Sequence, residues 1–276
     1  MALVARAVSY AYGDKTSFRV QALRDVDLAL EPGDLLVIAG TTGSGKSTLL
    51  RVLAGLLDPA SGAVEVDGTV PTAREARGRV ALVFQNPETQ FFAETLLADV
   101  SFGPRNLGSA DPNAAAAEAL AAVGLPPETF GDRSPFTLSG GEARRAAIAG
   151  ALAMRSPYLL LDEPTAGLDA RGRGEVLAAI EGERCRAGVA VVTHDPEEFL
   201  PSATSVLALD DGATAFSGSV RSLTDEPSAY LDAGLRLPEV VRAQLLARER
   251  GAVLPEIAFD AAEAALGLFA AREAAR

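Results

Sequence analysis

The chain has 276 residues, 25 basic against 37 acidic, for a formal charge of −12 at neutral pH. That balance argues against a protein that grips nucleic-acid phosphates with a basic face, and 5% aromatic residues with no Trp argue against a base-stacking platform. One cysteine, Cys185, and one histidine, His194, exclude an internal disulfide and any Cys- or His-rich metal site.

The length suits one large domain, or one domain with an appendage, and 48% hydrophobic residues suffice for a large core. No run approaches the roughly 18 apolar residues of a membrane span. The start, MALVARAVSY, lacks the basic and apolar regions of a secretory leader, so a reducing, soluble compartment is expected.

In chain order, Leu3, Val4, Val8, Tyr10 and Tyr12 form one alternating stretch, and Val20, Leu23, Val26, Leu28 and Leu30 another. The turn pair Gly13-Asp14 between them predicts an antiparallel hairpin. After the turn Pro32-Gly33-Asp34, the apolar run 35–39 suits a strand covered on both faces. A glycine-rich loop, 40–46, leads into helical spacing at Leu49, Leu50, Leu53 and Leu56. A short strand pair is predicted at 61–70 around Asp67-Gly68, and a buried strand at 80–84. Residues 86–151 read as mainly helical, broken at Gly103-Pro104, at 124–127 and at Ser134-Pro135. Buried strands at 158–161 and 189–193 flank a helix at 171–186, an alternation that argues for a mostly parallel sheet. Residues 205–217 read as an edge hairpin around Asp211-Gly212. Beyond Pro227 come two helical patterns, one with Leu237, Val240, Val241 and Leu245, the other with Phe259, Ala262, Leu266 and Phe269.

The loop carries the first chemistry. Gly40, Thr41, Thr42, Gly43, Ser44, Gly45, Lys46, Ser47 and Thr48 satisfy G-x-x-x-x-G-K-[ST], between an apolar strand and a leucine-spaced helix. Glycines let backbone N–H groups converge on phosphate oxygens, and the helix N-terminus adds partial positive charge. Lys46 is expected on the β- and γ-phosphates and the Ser47 hydroxyl on Mg²⁺. A Rossmann dinucleotide loop is disfavoured, because Thr48 stands where its third glycine is required. The second site signal is Asp162-Glu163, at the carboxyl end of a buried strand, where ligands of open α/β sheets bind. Asp162 is placed to hold Mg²⁺, directly or through water, and Glu163 to orient or deprotonate an attacking water.

Further motifs fall in a set order. LSGGEARRAAIAGALAM begins at Leu138, Gln85 follows the strand ending at Phe84, AGLD ends at Asp169, and His194 follows the strand at 189–193. Over about residues 3–225 the chain resembles the ATP-binding cassette (ABC) ATPases. The resemblance implies an α/β P-loop NTPase fold: a mostly parallel core sheet, an antiparallel β subdomain and a helical subdomain at about 86–152. The cassette would span 1–225, with a C-terminal helical extension over 226–276. It also implies ATP and Mg²⁺ as ligands, shared between two cassettes, identical or different. Ser139, Gly140, Gly141 and Glu142 form the signature turn that faces ATP held by the partner's loop. Gln85 reaches Mg²⁺ and the attacking water, His194 contacts the γ-phosphate, Tyr12 stacks on adenine, and Asp169 belongs to the D-loop. One chain alone would bind ATP and hydrolyse it poorly.

The stretch from Gln85 to Gly108, QNPETQFFAETLLADVSFGPRNLG, resembles the ATPases of energy-coupling factor (ECF) transporters, which take up vitamins and transition metal ions. The tail from Tyr230 is similar to the same group. The resemblance implies a transmembrane coupling subunit seated near residues 86–105, a separate substrate-binding membrane subunit, and a peripheral position at the cytoplasmic face of the membrane. The ATPase of a conventional importer or exporter is the alternative, and a non-transport ABC ATPase a more distant one. Glu88, Glu94 and Asp99 are acids that could receive basic residues of the coupling subunit, and charge reversal at Glu88 or Asp99 is expected to loosen assembly. Two departures stand out. Leu97-Ala98 replaces the usual acids, and Ala143-Arg144-Arg145 follows the signature glutamate, with little consequence expected from the second.

Overall fold

The computed structural model describes residues 1–13, 18–72, 76, 78–225, 227–232 and 236–274. Asp14, half of the predicted first turn, lies outside the described residues. The strands are β1 (Leu3–Tyr12), β2 (Val20–Leu30), β3 (Leu35–Gly40), β4 (Ser61–Val66), β5 (Val80–Val83), β6 (Tyr158–Asp162), β7 (Gly188–Val192), β8 (Ser205–Asp210) and β9 (Ala213–Ser219). The helices are α1 (Lys46–Leu53), α2 (Leu96–Asn106), α3 (Pro112–Ala122), α4 (Pro127–Phe130), α5 (Gly140–Ala153), α6 (Ala170–Arg184), α7 (Ser222–Asp225), α8 (Pro227–Asp232), α9 (Glu239–Glu249) and α10 (Ala261–Ala274).

Among the described residues the strands join one sheet in the order β4-β1-β2-β9-β8-β3-β7-β6-β5. Strands β8, β3, β7, β6 and β5 are mutually parallel, whereas β4, β1 and β2 are antiparallel. This is the expected α/β fold. Strand β3 shows why its sequence is apolar throughout. Leu35 and Val37 face a core shared with Leu159, Leu161, Val189 and the helical layer of α2, α3, α5 and α6. Leu36 and Ile38 face a second core with Leu49, Leu50 and Leu53 of α1 and with Leu23 and Val26 of β2. A strand covered on both sides cannot alternate polar and apolar residues.

Three expectations need correction. The helix does not break at Gly103-Pro104, which lies inside α2. Gly103 leaves room for the side chain of Met154, just past α5, since a Cβ there would lie 2.7 Å from Met154 Cγ, and the helix ends two residues after buried Pro104. The 61–70 pair is a single bridge, Val66 with Thr69, because the long partner of β4 is β1. The 205–217 hairpin is not at an edge: β9 meets β2 through Arg24 and Ala213, and the outer strands are β4 and β5. In the tail, Leu237 and Val241 are buried, while α10 buries Ala264 and Ala271 and leaves Leu266 and Phe269 71% and 66% exposed. Phe259 precedes the helix, so the apparent stripe through it is not one face of α10.

Candidate functional site

The loop between β3 and α1 is shaped by backbone that only glycine accepts easily. Gly40 has φ 146°, and a Cβ there would lie 2.3 Å from the Leu209 carbonyl oxygen. Gly45 has φ 99°, and its Cβ would lie 2.4 Å from the Ala22 carbonyl oxygen. Gly45 also caps α1 with no side-chain acceptor, so the first helical N–H groups are left for a ligand. Ser44 is buried and its Oγ has no hydrogen-bond partner among the described residues. Lys46 is 6% exposed, and its Nζ donates to the carbonyls of Gly40 and Thr41, each at 2.8 Å. Burial lowers the Lys46 pKa, and Glu163 and Asp162 oppose that shift.

Asp162 ends β6 and is buried. Glu163 follows at φ 54°, a left-handed conformation that costs roughly 1 kcal/mol or more outside glycine and is held only where neighbours impose it. Here its N–H donates to the Val192 carbonyl at 2.9 Å, which ties it to the end of β7. Glu163 is 7% exposed, and burial raises its pKa against the lowering effect of nearby His194. His194 Nε2 lies 3.3 Å from Glu163 Oε1. Gln85, just past β5, is exposed. Tyr12 ends β1, and its hydroxyl lies 3.3 Å from Thr48 Oγ1. The Tyr12 ring packs edge-on against Tyr10 at 5.0 Å and stays 38% exposed.

These groups converge on one cavity of about 310 Å³, lined by Tyr12, residues 42–48, Gln85, Asp162, Glu163 and His194. Gly40 and Thr41 stand behind it, holding Lys46. Val20, Gln21 and Ala22 also line it. Motif reading missed them, because the pairing of Tyr12 with Val20 brings them in and no local signal does.

The remaining candidates do not line that cavity. Ser139 caps α5 in a reciprocal box: its Oγ accepts from the Glu142 N–H at 3.3 Å, and Glu142 Oε2 accepts from the Ser139 N–H at 2.7 Å. That backbone bond, with burial opposing it, holds the Glu142 carboxyl below its ordinary range. Asp169 caps α6, its Oδ1 accepting from the Gly172 N–H at 2.8 Å. Gly140 and Gly141 line a separate hollow of about 600 Å³ with Arg144, Ala166 and Gly167. Two further supports escaped the sequence. Glu198 accepts from Thr165 Oγ1 at 2.6 Å and pairs with Arg173 at 2.7 Å, bracing the segment after Glu163. Arg144, set aside above, bonds the carbonyls of Gln85 and Ala166.

The acids proposed to meet a membrane subunit fare differently. Asp99 Oδ2 accepts from the N–H groups of Phe92 and Ala93, both at 2.9 Å. It therefore shapes its own segment, and reversing its charge would disrupt the loop as well as any contact. Glu94 is exposed beside the edge-on pair Phe92 and Phe102, which are also exposed. The Glu88 side chain lies outside the described residues.

The sequence profile of a family described as ABC transporter matches residues 23–166. The energy-coupling factor transporter ATP-binding protein EcfA2 of Symbiobacterium thermophilum is 43% identical over 286 residues, covering 100% of this chain and 99% of that one. Among solved structures, cbiO1 from Clostridium perfringens, part of the ABC transporter complex cbiONQ, superposes with a TM-score of 0.70 at 29% identity, over 88% of this chain and 98% of that one. The ATP-binding cassette MJ0796, in a dimeric post-hydrolysis state bound to ADP and Pi, gives a TM-score of 0.71 at 27% identity, over 80% and 99%.

Proposed function

The chain belongs to the ABC transporter ATPase family, and from that premise we infer that it is the ATP-hydrolysing subunit of an ECF-type uptake transporter. The observation that carries this reading is the single cavity in which Lys46, Asp162, Glu163, His194, Gln85 and Tyr12 meet. Its two ends differ chemically. Tyr12 and Val20 offer an apolar wall for a base, whereas Lys46, the uncapped start of α1 and His194 offer donors for a triphosphate.

Phosphoryl transfer to water depends mainly on positioning and charge neutralisation. Lys46 binds the β- and γ-phosphates, with its ammonium already aimed by the Gly40 and Thr41 carbonyls. Glu163 and Gln85 hold the attacking water, and Glu163 accepts its proton. His194 donates to the γ-phosphate and steadies Glu163. A magnesium ion fits the oxygen donors Ser47, Asp162 and Gln85, and the orphaned Ser44 Oγ marks a loop shaped for a ligand. When bound, it would neutralise phosphate charge between those residues. Among the described residues no three His, Cys, Asp or Glu side chains could hold a metal unaided, so nucleotide oxygens would complete such a set.

The signature residues Ser139, Gly140, Gly141 and Glu142 lie outside the chain's own cavity. This supports a shared site in which they face ATP bound by a second cassette, with Asp169 nearby at the start of α6. Residues 226–276 form the extension of the cassette, and Leu237 and Val241, among its described residues, pack onto the main core. No described helix is long and apolar enough to cross a membrane. The chain works as a peripheral subunit at the cytoplasmic face, beside a transmembrane coupling subunit and a separate substrate-binding membrane subunit. The cargo, a metal ion or vitamin, is selected by that other subunit.

Co-expression with the membrane subunits tests this. Glu94→Lys is expected to reduce co-purification of the coupling subunit at least about tenfold, the loss of a charge-assisted contact worth roughly 1.5–3 kcal/mol, while MgATP binding is unchanged. Full recovery of the complex would remove Glu94 from the interface. Failure of the parent complex to couple ATP hydrolysis to uptake in vesicles would overturn the functional reading itself.

A further inference from the structure

Arg144 lies on α5, five residues beyond Ser139, and joins two loops of the cavity. Its Nη2 donates to the Gln85 carbonyl at 2.8 Å, and its Nη1 donates to the Ala166 carbonyl. Gln85 stands at the end of the segment leaving β5 and lines the cavity. Ala166 belongs to the segment leaving β6, three residues after Glu163, and its N–H closes a turn onto the Glu163 carbonyl at 3.3 Å. One planar guanidinium thus spans the loops of Gln85 and Glu163, the two residues proposed to hold the attacking water.

The other end of that link is the signature turn. Arg144 lines the hollow of about 600 Å³ together with Gly140, Gly141, Ala166 and Gly167. The reciprocal cap of Ser139 and Glu142 makes the first turn of α5 rigid. Arg145, next in sequence, does a different job: it bonds Glu175 at 2.6 Å and the carbonyls of Val123 and Gly124, tying α5 to the helical layer. Arg144 instead donates to backbone on both hydrolytic loops. Arg144 meets carbonyls of two different loops with two separate nitrogens of one planar fork, whereas lysine would offer a single nitrogen on a flexible stem.

We propose that Arg144 is a positioning residue that carries engagement of the signature turn, by ATP on the second cassette, to this chain's own Gln85 and Glu163. The proposal rests on the shared-site reading given above. When the start of α5 closes on the neighbouring triphosphate, the guanidinium moves the two carbonyls with it. Gln85 and Glu163 then reach hydrolytic spacing only once both cassettes are loaded. Arg144 touches no reacting atom in this scheme. It sets the position of groups that do.

The test is steady-state hydrolysis by the assembled membrane complex, with Arg144→Ala and Arg144→Lys, alongside equilibrium binding of MgATP. Misplacing catalytic groups by about 1 Å costs up to roughly a hundredfold. A fall in kcat of at least about tenfold is therefore expected for both variants, with the MgATP dissociation constant within about twofold of the parent. Lysine is expected not to rescue, because the fork and not the charge matters. In a double-mutant cycle with Ser139→Ala, the combined loss in kcat should depart from the product of the single losses by more than about twofold, the limit for independent sites. Unchanged kcat in both variants, rescue by lysine, or additive losses would each overturn the proposal. If Arg144→Ala folds poorly, Arg144→Lys at an unaltered thermal midpoint decides. Glu163→Gln measured in parallel separates the two levels. Full turnover by that variant removes the hydrolytic reading, whereas a silent Glu163→Gln beside unaffected Arg144 variants removes only the role of Arg144.

Discussion

Glu163→Gln, assembled with its partners, is expected to bind MgATP as the parent does and to hydrolyse it about 10²–10⁴ times more slowly, the usual contribution of a positioned general base. The reason lies in how the structure holds this side chain. Its backbone is kept left-handed by the strand-end bond to Val192, its carboxyl is buried, and His194 lies 3.3 Å away. Glutamine matches the size and retains the backbone bond, so the fold and the cavity persist. It cannot accept a proton from water. Removing a carboxylate whose charged form is disfavoured by burial should also leave the thermal midpoint at or above the parent value. ATP then stays in place, and cassettes that close on it remain closed. Single-turnover assays with bound ATP check the chemical step directly, and near-parental turnover would remove Glu163 from catalysis.

Lys46→Ala is expected to cut the stabilisation of the chain by ATP to about half or less. In the parent, ATP at about 100 times its dissociation constant should stabilise the fold by roughly 2.7 kcal/mol through mass action. At the same concentration a variant weakened tenfold to a hundredfold should keep only about 0.4–1.4 kcal/mol of that stabilisation. Lys46 is buried, and its ammonium is fixed by two carbonyls at 2.8 Å, so on the proposed reading its charge is in place before ATP arrives. Loss of that charge-assisted contact is worth roughly 1.5–3 kcal/mol, or about a tenfold to hundredfold weakening, before any rearrangement of the loop. The nucleotide-free variant should melt near the parent temperature, because it sheds a buried cation along with two hydrogen bonds. Thermal melts with and without MgATP decide the matter. An ATP-induced shift equal to the parent's would contradict the role given to Lys46.

What could be read from the chain alone was what local chemistry dictates. The apolar run of β3, the glycines before α1 and the acids after β6 are each imposed by a requirement within a few residues. Burial on two faces, backbone at positive φ and a strand end facing a ligand leave direct marks in sequence. The errors share the opposite cause. Whether β9 sits at an edge depends on Arg24 meeting Ala213, some 189 residues away. Gly103-Pro104 looked like a break because local rules penalise both residues, yet the pair lies near the end of α2 and Gly103 accommodates Met154, just past a packed helix. The helical pattern of Leu266 and Phe269 does not tell which face of α10 meets its own chain, and that face is the alanine face. Asp99 was read as a free acid because nothing in its neighbours shows that it accepts from Phe92 and Ala93. Arg144 was passed over for the same reason. Its partners are backbone carbonyls, which every residue has, so no side-chain signal accompanies them.

The shared nucleotide site is tested most directly by a cross-link in the assembled complex. In a Cys185→Ser background, which removes the exposed native thiol, Ser139→Cys is paired with a cysteine at Thr42 of the second cassette, or at its counterpart where that cassette is a different chain. Glu163→Gln is included so that bound ATP survives, and a short thiol-specific linker is applied. Linkage between the two cassettes should appear with MgATP and be absent without nucleotide. Equal linkage in both conditions, or none with MgATP in a complex that demonstrably binds it, would contradict a triphosphate held between one chain's glycine loop and another's signature turn.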